Sequence, residues 1–94
     1  MQKIQYIGSK KFDSTTTFHF YTIDIGGYEM GLEVLDDSKE NVMIILFHWP
    51  DDYDGKKRLS YYPTQSEGRY FLKVYRSKKG RYFIYKGTRT YLPD

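Results

Sequence analysis

The sequence predicts an all-β or β-dominated α+β fold. The expected form is an antiparallel meander, built as a strongly bent sheet or partial barrel, with little or no helix. Three observations carry this. No stretch keeps apolar residues at i, i+3, i+4 and i+7 for three turns, as an amphipathic helix requires. Short runs rich in β-branched and aromatic residues alternate with clusters of Gly, Pro, Asp and Ser. Tyrosine supplies 11 of the 94 residues, with six Phe and one Trp, and rings favour strands.

The elements follow in order. Residues 3–7 form a first strand, closed by Gly8 and Ser9. Residues 16–25 and 28–35 form the next two. Gly26 and Gly27 join them, because both central positions of a two-residue hairpin turn favour φ > 0. Residues 36–40 are a polar turn. Residues 42–47, VMIILF, read as a strand buried on both faces, with a short buried helix as the alternative. Pro50 ends that run. Residues 51–57 form an exposed loop, 59–62 a short strand and 63–68 a turn. Strands over 69–76 and 81–86 are joined by residues 77–80, and 88–92 add a last strand.

A chain of this length is read as one compact domain, residues 1–94, with a thin core. It has no cysteine, so neither disulfides nor thiolate metal sites reinforce that core. This fits a reducing cytoplasm. No apolar run of 18 residues exists, and residues 1–6 lack the apolar region of a signal peptide. A cytoplasmic protein with no membrane partner is expected.

The net charge of +3 conceals an asymmetry. Residues 1–54 carry four basic and ten acidic side chains, or −6; residues 55–94 carry eleven basic and two acidic, or +9. A bland solvated surface would mix the signs.

The Gly26–Gly27 turn fixes a register. Ile25 faces Tyr28, Ile23 faces Met30, Tyr21 faces Leu32 and His19 faces Val34, a coherent apolar face. The other face opposes Phe20 to Glu33 and sets Asp24 against Glu29, and opposed like charges are destabilising. A cation is therefore expected nearby. A direct return of the chain brings His48 to the height of Glu29. Asp24, Glu29 and His48 are then a candidate site for a divalent metal such as zinc, with nitrogen and oxygen ligands. The competing reading is a solvated hairpin end neutralised by a lysine. His19 reads as a core-edge histidine, and Asp51, Asp52 and Asp54 form a second, weaker cation candidate.

The C-terminal hairpin carries the stronger pattern. With Lys78, Lys79 and Gly80 as a three-residue loop, Val74 faces Ile84, Leu72 faces Lys86 and Arg76 faces Tyr82. On the opposite face Tyr75 meets Phe83 and Lys73 meets Tyr85, with Arg69, Phe71 and Arg81 in line. Interleaved rings and cations suit single-stranded nucleic acid, because rings stack on bases and cations track phosphates. They suit a protein partner equally, since Tyr and Arg dominate interface anchors. A packed layer in which Lys and Arg stems cover the rings is the structural alternative. No Gly-rich phosphate loop, nucleophile elbow or Cys–His pair is present, so no enzyme and no small-molecule substrate are expected.

A short, Tyr- and Lys-rich, cysteine-free chain with oppositely charged halves resembles the small proteins encoded by phages and prophages of low-GC bacteria. Among those it is most similar in style to anti-CRISPR proteins. The resemblance implies a non-catalytic inhibitor that binds a CRISPR effector nuclease in the host bacterial cell and blocks DNA loading or cleavage. No family motif maps onto the chain, so no residue roles carry over. Many such inhibitors are acidic nucleic-acid mimics, and this chain is so only in its first half. On this reading an acidic side (Asp36, Asp37, Glu40, Asp51, Asp52, Asp54) meets a basic groove. A basic aromatic side (Arg69, Phe71, Lys73, Tyr75, Arg81, Phe83, Tyr85) supplies anchors. A small single-stranded DNA- or RNA-binding protein is the alternative.

Overall fold

The computed structural model describes residues 4–11, 13–36, 42–63 and 67–93. Among these, the strands are β1 (Ile4–Lys11), β2 (Thr17–Ile25), β3 (Tyr28–Asp36), β4 (Val42–Phe47), β5 (Arg69–Lys73), β6 (Tyr75–Ser77), β7 (Gly80–Tyr85) and β8 (Thr88–Tyr91). A 3₁₀ helix, Gly55–Ser60, lies between β4 and β5. The fold is β-dominated and antiparallel, as the sequence predicts. It divides into two sheets, a meander of β1 to β5 in sequence order and a smaller sheet of β6 to β8. The meander stays open, with β1 and β5 at its edges. No helix among the described residues is long and apolar enough to cross a membrane.

The β2–β3 register is the one the sequence predicts, from Ile25 opposite Tyr28 to Phe18 opposite Leu35. Gly26 and Gly27 both take positive φ, and the Gly27 N–H donates to the Asp24 carboxylate at 3.0 Å, pinning the turn. Strand β4 pairs with β3 and β5, and Ile44 to Phe47 are all buried, so the apolar run is a central strand covered on both faces.

Period-2 alternation sends the two faces of the meander to different cores. Ile23, Met30, Leu32, Val34, Ile44 and Leu46 pack with Phe83, Tyr85 and Leu92, which joins the small sheet to the large one. Ile45 and Phe47 point the other way, where Tyr61, Trp49 and Tyr53 cover them. Gly31 makes the second core possible. It sits opposite Phe47, whose ring lies across its backbone. A β-carbon there would fall on the Phe47 ring and 2.8 Å from the Trp49 ring. Gly31→Ala is therefore expected to destabilise the domain by about 1–3 kcal/mol, because both rings must shift in a packed site. Urea denaturation measures this, and an unchanged midpoint would contradict the packing.

Three expectations are corrected. Gly8 and Ser9 do not close the first strand: β1 runs through them to Lys11, paired with β2, with an irregularity in register between Tyr6 and Gly8. Residues 59–62 are not a strand. The chain winds instead through the 3₁₀ helix, held by Lys57 N–H to the Asp54 carbonyl (3.1 Å) and Ser60 Oγ to the Lys57 carbonyl (2.7 Å). Residues 69–76 are not one strand either. β5 pairs with β4 in the large sheet and β6 with β7 in the small one, and Val74, packed against the main core, carries the chain across.

Candidate binding surface

The C-terminal hairpin closes on two residues, Lys78 and Lys79, with Ser77 opposite Gly80. Ser77 Oγ accepts the Lys79 N–H at 3.2 Å, which holds the tighter turn. This moves the expected register by one residue and exchanges the faces. Tyr75 meets Tyr82, not Phe83, and Arg76 meets Arg81. Phe83 is fully buried and Tyr85 nearly so, both in the core between the sheets. Neither belongs to an exposed aromatic face. Arg81 shares their side of β7 and is half-buried, with its charge acting on the Tyr21 phenol.

A different row takes their place. Tyr75, Tyr82 and Tyr91 stand side by side across β6, β7 and β8 on the outer face. Tyr75 and Tyr82 are stacked, with centroids 5.4 Å apart and planes at 19°. Tyr82 and Tyr91 are 5.3 Å apart. The Arg89 guanidinium lies 4.3 Å over the Tyr82 ring and the Lys73 ammonium 5.3 Å over that of Tyr75. Ser77 and Arg89 bond the Tyr91 hydroxyl, and with the charges of Arg89 and Lys79 they lower its pKa. The face is thus electropositive and aromatic, with Ile84 exposed beside it.

The other predicted anchors sit elsewhere. Arg69, Phe71 and Lys73 share a face, but of β5, turned away from the small sheet, and Phe71 is exposed there under the Arg69 guanidinium at 5.6 Å. Lys73 alone reaches back to the tyrosine row. Sequence reasoning missed Tyr82, Arg89 and Tyr91. The residue pair Lys86–Gly87 was the available signal, since a two-residue turn there sets Tyr82 opposite Tyr91.

Asp24 and Glu29 are opposed, as expected, but the proposed metal triad does not form. β4 ends with Phe47 opposite Gly31, so His48 comes at the height of Met30 and, by alternation, on the other face of the sheet. Among the described residues, no three His, Asp or Glu side chains gather to hold a metal. The cation is an arginine: Arg58 of the 3₁₀ helix donates to Glu29 at 2.6 Å and to the Tyr53 carbonyl at 3.1 Å, and stacks 4.8 Å over Trp49. Neither the metal nor the lysine reading anticipates this, because the 3₁₀ helix is remote in sequence.

Asp51, Asp52 and Asp54 are exposed on the loop before that helix. Asp52 pairs with Lys57 at 3.6 Å, and Lys56 and Arg58 lie in the same helix, so the first cations of the basic half fold back among the acids. Asp36 ends β3, while Asp37 and Glu40 lie outside the described residues. No family model matches the chain, and neither a curated protein nor a solved structure matches it.

Proposed function

We propose that this chain is a non-catalytic inhibitor that docks, through the outer face of the β6–β8 sheet, on a nucleic-acid-handling protein. A CRISPR effector nuclease in the bacterial cytoplasm is the target class its resemblance points to. The tyrosine row under Arg89 and Lys73 carries this reading. The cations lie over the ring faces, so the rings form an apolar support and the charge points outward. That suits carboxylates on a protein surface better than bases, which need open ring faces. The 51–54 loop lies beside the second core, on the far side of the large sheet, with Lys56, Lys57 and Arg58 among its acids, so that side presents mixed charge while the tyrosine row presents cations.

Co-elution with guide-loaded and empty effectors, followed by a DNA-cleavage assay, tests the proposal. Arg89→Glu is expected to weaken binding tenfold or more while leaving the melting temperature within a few degrees. Full-rate cleavage at excess protein, with no effector co-eluting, would remove the inhibitor reading for that panel. The regular spacing of three rings on an open sheet favours a second reading, single-strand binding. It requires affinity that falls steeply with salt, and a filter-binding assay at low salt without a complex removes it.

A further inference from the structure

A second site is built where the two sheets meet. A cleft of about 440 Å³ opens between the β2–β3 hairpin tip and strands β5 and β7, a size in the range of small-ligand pockets. Tyr28, Tyr70 and Tyr85 line it as aromatic walls, with Met30 among its apolar residues. Tyr70 and Tyr85 lean together at 5.4 Å. Among its described lining residues, the ionisable groups besides tyrosines are His48 and Lys86, with no carboxylate.

Lys86 is the informative residue. It holds the first position of the two-residue turn between β7 and β8 with φ +50°, the one non-glycine at positive φ among the described residues. Gly, Asn or Asp fit that position without strain, and lysine does not. Its ammonium lies 5.4 Å over the Tyr85 ring, at the cleft. Strain kept at the rim of a pocket is a mark of function.

We infer that this cleft binds a planar aromatic ring bearing a phosphate, the chemistry of a nucleoside monophosphate, with the exposed rings of Tyr28 and Tyr70 packing the base and Lys86, seated over Tyr85, holding the phosphate with His48. The same chemistry occurs in a free nucleotide and at the phosphorylated end of a strand. The site is distinct from the tyrosine row and does not depend on it.

The test is a heteronuclear NMR titration of the full chain with adenosine monophosphate, with adenosine and inorganic phosphate as half-ligand controls. Saturable shifts at Met30, His48 and Lys86 are expected, with each control at least tenfold weaker. Lys86→Gly relieves the turn, so its melting temperature should hold or rise while nucleotide affinity falls at least tenfold. Tyr28→Ala, at a 72% exposed side chain, should weaken binding without unfolding. Short single strands with and without a terminal phosphate separate the two sources, and tighter binding of the phosphorylated one names a strand end. Absence of saturable shifts with both nucleotide and phosphorylated strand overturns the proposal. So do equal binding of adenosine, or unchanged affinity in Lys86→Gly.

Discussion

Phe83→Ala should destabilise the domain by about 3–5 kcal/mol, the usual cost of emptying a buried phenylalanine site. Phe83 is fully buried and packs in the cluster that contains Leu32, Ile44 and Leu46 of the large sheet, so it fastens the small sheet to the large one. A domain of this size has about 5–15 kcal/mol in total, so the variant would stand near its unfolding threshold. Tyr82→Ala, one residue away, should cost only about 1 kcal/mol, the value of its ring contacts with Tyr75 and Tyr91. It should nevertheless weaken partner binding. Urea denaturation of the pair decides between registers. The three-residue loop expected from sequence makes Tyr82 the core residue and Phe83 the surface one, and so requires the opposite order.

Glu33→Gln should stabilise the protein by about 3 kcal/mol at pH 8 and by nothing at pH 4. Glu33 is 4% exposed on β3, opposite Phe20 and Ile45. Burial pushes its carboxyl up from 4.5 to about 7, against the weaker opposing pull of Lys10. Below pH 4.5 the carboxyl is protonated in both the folded and unfolded states. Between pH 4.5 and 7 the unfolded chain releases this proton while the folded one keeps it, so stability falls as pH rises. Above 7 the loss is complete, at about 1.4 kcal/mol per unit of displacement. Glutamine has no proton to release and keeps the shape. Melting both proteins across pH 4 to 8.5 measures the difference, and parallel curves would show that Glu33 is solvated in the fold.

The sequence also shows where local pattern stops. Asp24 opposite Glu29 demanded a cation, and that demand was correct. Its supplier, Arg58, is 29 residues further on in a 3₁₀ helix that no periodicity announces. The pairing of Glu33 with Phe20 was legible, but the burial of Glu33 was not. Its burial depends on chain that crosses that face of the sheet later, where Tyr61 and Pro63 are buried.

By itself, the sequence determined the antiparallel β class, the central strand over 42–47 and the full register of the β2–β3 hairpin. Two adjacent glycines take the positive φ that both central positions of a tight turn need, and a tight turn sets every pair behind it. Tertiary structure alone decided which face of β7 is core. Arg81 to Tyr85 carry apolar or amphipathic side chains at every position, so alternation gives no direction. Lys78 and Lys79 allow either loop length. The choice falls to packing: Phe83 is buried in the cluster that holds Leu32 and Leu46, and Tyr82, on the opposite side of the pleat, is left facing outward with Tyr75 and Tyr91.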